Sequence, residues 1–163
     1  MKAHRTARHS AMATKRTKTP WMKADAFGRS LAAGFGLALL VSDVAAMVGF
    51  LRQVIGARIV YGDEDFAVAE MSGTLLLLHA DHAYDRHPLS GLVAGETVRG
   101  AGSEIRVYGA DPDHAEQAAR ARGDHVLAST VDKPHGLREC FIVAPDGYVF
   151  VPSASIGGTE TET

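Results

Sequence analysis

The sequence predicts an α+β fold built from two βαβββ modules. Three observations carry this. A strand pattern followed by an Asp-capped helix, a terminal glycine and three short strands occurs twice in the 163 residues. The two capping aspartates, Asp43 and Asp111, are 68 positions apart, and the closing glycines, Gly56 and Gly123, are 67 apart, so the pattern repeats in register. Each helix is followed by hairpin-forming strands, which suits a helix covering one face of a curved sheet.

The elements follow in order. Phe35 to Val41 alternates as a strand between glycine and Ser42. Asp43 is a good N-cap. Val44, Met47, Val48, Leu51, Val54 and Ile55 then recur at helical spacing and form one apolar stripe. Gly56 suits the left-handed residue that ends a helix. Arg58 to Tyr61, Phe66 to Met71 and Thr74 to His79 are short runs rich in Val, Leu and aromatics. The last two are joined by a tight Ser72-Gly73 turn. The second round begins with Glu104 to Tyr108. Asp111 caps a helix with Pro112 in its first turn, where proline fits best, and Gly123 ends it. His125 to Ser129, Glu139 to Val143 and Tyr148 to Val151 complete the module, the last two joined through Asp146 and Gly147.

Domain limits follow: a basic head over 1–29 expected to be disordered, a first module over 30–83, a linker over 84–101, a second module over 102–156 and a tail over 157–163. The linker contains Pro88, Gly91, Gly95 and Gly100, a joining composition. His82, Asp85 and His87 read as exposed loop residues, with a metal site made from one loop as the alternative.

Composition narrows the function. Apolar residues make up 46% and charged residues 22%, as in ordinary globular proteins. Cys140 stands alone, so no internal disulfide forms, and it reads as a buried strand residue. The longest apolar run, Leu31 to Val41, is too short to cross a bilayer; a cytoplasmic protein is expected. The net charge of −2 conceals a contrast. Residues 1–24 hold seven basic side chains and no acid, whereas the remainder balances ten against nineteen acids, a charge of −9. An acidic body argues against nucleic-acid binding. The head reads as an unstructured tail, or as sequence upstream of a start at Met12 or Met22, with a phosphate-binding arm or a targeting segment as alternatives.

Three segments, GFGLALLVSDVAAMVGFLRQVIGARIVYG, SEIRVYGADPDHAEQAARARGDHVLAS and KPHGLRECFIVAPDGYVFVPS, together resemble the glyoxalase, bleomycin-resistance and extradiol-dioxygenase (vicinal oxygen chelate) superfamily over about residues 34 to 153. The resemblance implies two curved sheets around a central cavity, and a homodimer. It also implies that metal-dependent members would place ligands at Gly36, Leu77, Glu104 and Val151. Gly, Leu and Val offer no donor atoms, and one carboxylate does not make a site. No metal and no cofactor are therefore expected, as in the metal-free, bleomycin-resistance type associated with antibiotic sequestration.

Strand alternation then lists a cavity lining. Leu40, Leu77, Val149 and Val151 form its apolar side, and Glu104, Arg106, Tyr108 and His79 its polar side; Tyr108 or Phe66 offers a flat contact for a ring, and the open space beside Gly36 and Ala38 leaves room for a ligand. His135, in Pro-His-Gly, is expected near the mouth. Each polar residue has a plainer reading: Glu104 and Arg106 as an ion pair, His79 as a strand end, His135 as a turn residue. The partner expected is a small aromatic or amphipathic molecule, not nucleic acid or membrane. The alternatives are a metal-independent isomerase or lyase using Glu104 as general base, and a structural or regulatory protein without a ligand.

Overall fold

The computed structural model describes residues 15–83 and 87–157. Asp85 and the first fourteen residues, which carry Met12, lie outside the described residues, as do residues 158–163. The described chain runs α1 (Ala24–Ser30), β1 (Gly36–Val41), α2 (Val44–Phe50), β2 (Arg58–Gly62), β3 (Phe66–Met71), β4 (Thr74–Ala80), α3 (Ser90–Val93), β5 (Ile105–Tyr108), α4 (Pro112–Arg122), β6 (His125–Asp132), β7 (Leu137–Val143) and β8 (Val149–Ser155).

Each module is a four-stranded sheet, ordered β1-β4-β3-β2 and β5-β8-β7-β6. The first and last strands of each module are parallel and the others antiparallel. The expected α+β fold of two βαβββ modules is what the chain forms. The local signals act as read. The Asp43 carboxylate accepts from the Ala46 N–H at 2.9 Å. That of Asp111 accepts from Asp113 and His114. Gly56 and Gly123 are left-handed. Ser72 and Gly73 both have positive φ, 48° and 76°, the geometry of a tight hairpin turn. One departure concerns the first helix: its α-helical part stops at Phe50 and a π-helical turn, Leu51–Ile55, completes the stripe.

Alternation separates the two faces of each sheet. Leu39, Val41, Leu76, Leu78, Ala67 and Ala69 are buried under α2. On the second sheet Cys140, Ile142 and Phe150 are fully buried, and the Cys140 thiol lies against the Pro112 carbonyl that opens α4. Burial pushes that thiol up to about 11, so it stays protonated and inert at neutral pH. One apolar core runs through both modules, with the Phe50 and Phe150 rings 5.3 Å apart. The modules thus join on their helix sides.

Polar contacts reinforce the joint. The Tyr148 hydroxyl donates to the Leu40 carbonyl at 2.9 Å. The Ser42 N–H donates to the Asp146 carboxylate at 2.9 Å. Arg99, from the linker, donates to the same Leu40 carbonyl and to both oxygens of Asp81. The linker therefore ends in packed structure, and a one-turn helix, α3, lies within it.

The head departs from expectation. Residues 15–29, within the head read as disordered, fold back over the first sheet together with Ser30 and Leu31 and include most of α1. The reason is chemical: the run contains Trp21, Met22, Phe27 and Leu31, enough apolar surface to favour a docked position over a solvated one. No helix among the described residues is long and apolar enough to cross a membrane.

Candidate ligand pocket

On the first sheet, register places Phe66 opposite His79 and Val68 opposite Leu77. Leu77 pairs with Ala38 and His79 with Leu40 in the parallel ladder. These side chains share the face turned away from α2. Tyr61, from β2, stands beside Val68 on that face. Residues 15–31 cross it and enclose a pocket of about 400 Å³ between strap and sheet. The strap contributes Arg16, Trp21, Phe27 and Leu31 to the wall; the sheet contributes Tyr61, Phe66, Leu77 and His79.

The walls are mostly rings. Trp21 stacks on Tyr61 with centroids 5.1 Å apart and 14° between planes. Phe27 meets Phe66 edge-on at 5.7 Å and 73°. Phe66 lies 5.1 Å from the imidazole of His79. Such offset and edge-on geometries are those favoured by the ring quadrupole.

A polar rim fixes the strap. The Arg16 guanidinium donates to Asp63 at 2.6 Å and its main-chain N–H donates to Asp65 at 2.8 Å. Asp63 is held by its own turn, accepting from the N–H groups of Asp65 and Phe66 and from the Tyr61 hydroxyl. Burial acts to raise the Asp63 pKa, but the Tyr61 and Arg16 hydrogen bonds outweigh it and hold the carboxyl below its ordinary value. Tyr61 moves up, through burial and then through its bond to Asp63. His82 Nε2 lies 3.0 Å from Asp65. At the other end of the pocket, burial first and His87 second push His79 below the ordinary histidine value. Its imidazole is neutral at pH 7.

Within one chain, the residues expected around a single central cavity are divided. Phe66, Leu77 and His79 line the pocket under the strap. Arg106 and Tyr108 line another, of about 310 Å³, between β5 and the β3–β4 hairpin. The physical reason is the helix-side joint, which leaves the concave face of each sheet to be covered separately. Gly36 is exposed, with open space where a side chain would stand. Leu40 is buried, and its carbonyl serves the module joint. Val151 is fully buried. Glu104 and Arg106 form the plainer alternative, an ion pair at 2.8 Å, and Arg106 also donates to Glu139. His135 lies 3.6 Å from that same Glu139 carboxylate. Tyr108 is largely exposed beneath the Arg106 guanidinium.

Sequence reasoning missed Arg16, Trp21, Phe27, Tyr61 and Glu139. A signal existed for the strap: the chain's one tryptophan, with Phe27 and Leu31 four positions apart, is poor material for a solvated tail. Glu139 was legible too, since it alternates with Leu137, Phe141 and Val143 on β7.

The positions at which the family resemblance implies a metal do not fit one. Gly36 has no side chain, Leu77 and Val151 are hydrocarbon, and the Glu104 carboxylate faces Arg106. Among the described residues no three His, Cys, Asp or Glu side chains converge as a ligand set.

No protein-family model matches the sequence, and no curated protein matches it. Solved structures do. A glyoxalase/bleomycin resistance protein/dioxygenase from Nocardioides superposes with a TM-score of 0.57 at 21% identity, covering 85% of this chain and 97% of that one. A glyoxalase-related enzyme from Fulvimarina pelagi gives 0.60 at 16% identity, over 76% and 89%. A glyoxalase/bleomycin resistance protein/dioxygenase family enzyme from Burkholderia phytofirmans gives 0.58 at 18%, over 73% and 95%. At these identities the likeness concerns the fold.

Proposed function

Because the chain has the fold of the glyoxalase/bleomycin-resistance/dioxygenase proteins, we propose that it binds a small aromatic or amphipathic molecule under the strap, without a metal ion. The observation that carries this is the pocket of about 400 Å³ walled by rings and Leu77. Small-molecule sites span roughly 300–1,000 Å³ and combine apolar walls with a few polar groups. Here those groups are the Tyr61 hydroxyl, the Arg16 guanidinium and the neutral His79 imidazole. Arg16 and Tyr61 already bond to Asp63. The His79 imidazole, on the pocket wall beside Phe66, orients a ligand's hydrogen-bonding end. Burial of the ligand's apolar surface supplies the affinity, at about 25 cal/mol per Å².

The metal-free reading is supported by the chemistry of Gly36, Leu77 and Val151. The general-base alternative is poorly served: Glu104 is half-exposed, tied to Arg106, and on the module without the strap. An open, ring-lined space also argues against a purely structural role, because packed interiors close voids of this size. The homodimer implied by the family resemblance is carried forward with this reading.

Calorimetric titration of the purified chain with planar aromatic, amphipathic and sugar-phosphate compounds tests it. Aromatic or amphipathic compounds bind the wild type, and Leu77→Asp weakens them by about tenfold or more, the effect of an unpaired charge facing bound hydrocarbon. Tight binding of the sugar phosphate alone, or equal binding by Leu77→Asp, refutes the assignment. Elemental analysis of the same sample checks the metal, and light scattering checks the dimer.

A further inference from the structure

We infer that residues 15–31 form the specificity-determining lid of this pocket, latched by Arg16, and that Trp21 and Phe27 make it select planar aromatic ligands. The ligand half of this inference rests on the binding reading above; the latch rests on the protein's own geometry.

The lid is built to be lifted. Its only helix, α1, is seven residues long and buries none of them. Trp21 and Leu31 remain 45% and 44% exposed although both line the pocket. Segments with few buried contacts open at low free energy, well before the fold does. The contacts that hold the strap include two ring contacts to the sheet and the Arg16 pair with Asp63 and Asp65. The acceptor side of that pair is already fixed. Asp63 is fastened by the main chain of its own turn and by Tyr61, and Asp65 lies against His82. These bonds do not involve the strap, so Arg16 is the part that engages and releases.

The lid also decides what fits. Of the four carbocyclic or indole rings around the space, Trp21 and Phe27 come from the strap, and Tyr61 and Phe66 from the sheet. The strap rings touch the sheet rings, Trp21 on Tyr61 and Phe27 on Phe66, and the two pairs together wall the unfilled volume. A flat ring system placed beside them gains offset or edge-on contacts with strap and sheet rings alike. A globular alicyclic molecule of similar size gains apolar burial but none of that geometry. Selection between the two thus depends on strap rings that neither module supplies.

Trp21 is the chain's single tryptophan, so its fluorescence reports on the lid directly. Acrylamide quenching is measured on the full chain for the wild type, Arg16→Ala, Arg16→Lys and Asp63→Asn. Unlatching raises the quenching constant toward that of free tryptophan in Arg16→Ala and Asp63→Asn, with Arg16→Lys between. Equal quenching in the wild type and Arg16→Ala overturns the latch. Selectivity is read with N-phenyl-1-naphthylamine, a neutral planar probe, against 1-adamantanol, a non-planar one. The planar-to-alicyclic affinity ratio falls by about tenfold in Trp21→Leu and Phe27→Leu, which keep apolar bulk and lose the ring. Arg16→Ala weakens both probes together, since the closed form becomes less populated. An unchanged ratio in both leucine variants overturns the selection. Failure of the wild type to bind either probe overturns the ligand half, while the quenching series still decides the latch.

Discussion

Replacing Arg99 by alanine tests the joint between the modules. The guanidinium is 4% exposed and makes two bonds to the Asp81 carboxylate, at 2.8 and 2.7 Å. A third goes to the Leu40 carbonyl at 3.1 Å, and Asp146 stands 3.9 Å away, itself 6% exposed. Arg99 thus ties the end of β4, the end of β1 and the Asp146 turn of the second module to one cation. Truncation leaves the Asp146 carboxylate buried beside a gap, with only the Ser42 N–H retained. Removing one partner of a buried pair costs about 3–5 kcal/mol. Asp81 is 38% exposed and recovers water, so the expected loss is at the low end, about 3 kcal/mol. With a urea dependence of roughly 2 kcal/mol per molar, the midpoint falls by about 1.5 M. Urea titration followed by far-UV circular dichroism measures this, and Trp21 emission shows whether the first module responds with the rest. A change below about 0.5 kcal/mol, the size of an ordinary surface substitution, would show that water replaces the guanidinium and that the joint is apolar alone.

Three further outcomes are expected. Gly147 has a φ of +77°, and an added Cβ would stand 2.5 Å from the Val98 Cα and 2.6 Å from the Thr97 carbonyl; Gly147→Ala should therefore lower the melting temperature sharply, and an unchanged transition refutes the close approach. Glu116 is held down to about 2 from an ordinary 4.5, first by the Thr130 main-chain N–H, then by the Thr130 and Arg120 side chains. Its contribution is full above about pH 4.5 and is lost as pH falls toward 2, so Glu116→Gln should be less stable at pH 6 and lose part of the acid dependence in that window, as monitored by denaturation at several pH values. Glu104→Gln should bind aromatic ligands as the wild type does, because Glu104 only pairs with Arg106 at the surface; loss of binding in calorimetry would return Glu104 to the site.

The fold was legible because its signals are local. Asp43, Gly56, Asp111, Pro112 and Gly123 each act within a turn of their own position, and period-two alternation sorted Leu37, Leu39 and Val41 from Gly36, Ala38 and Leu40. Alternation also placed Leu77 and His79 on one face, which with Phe66 is the floor of the pocket. What alternation does not contain is which surface covers that face. The joint through Phe50 and Phe150 is a tertiary choice, and it separates Glu104, Arg106 and Tyr108 from the residues they were expected to join. The strap was hidden for a different reason. Its basic residues dominate its composition, while its docking draws on a few spaced apolar side chains and on Arg16, which reaches 47 residues ahead to Asp63 and also pairs with Asp65.

The two modules share a topology but not a concave surface, and the difference argues for where a ligand goes. On the second sheet Glu139 is 3% exposed. A carboxylate there requires a cation, and Arg106 supplies it while also holding Glu104. Ser153 pairs opposite Glu139 and is itself buried. A ligand entering that face would have to part charges already compensated at short range, and a buried carboxylate left without its guanidinium is costly. On the first sheet the corresponding face carries Phe66, Leu77 and His79 in the pocket, with Asp63 and Asp65 at the rim and the Arg58–Glu70 pair outside the pocket lining. A ligand entering there displaces water chiefly from hydrocarbon and rings and parts no buried ion pair on the sheet. Under the binding reading proposed above, hydration therefore favours the first module as the receiving face over the second, whose charges are internally matched.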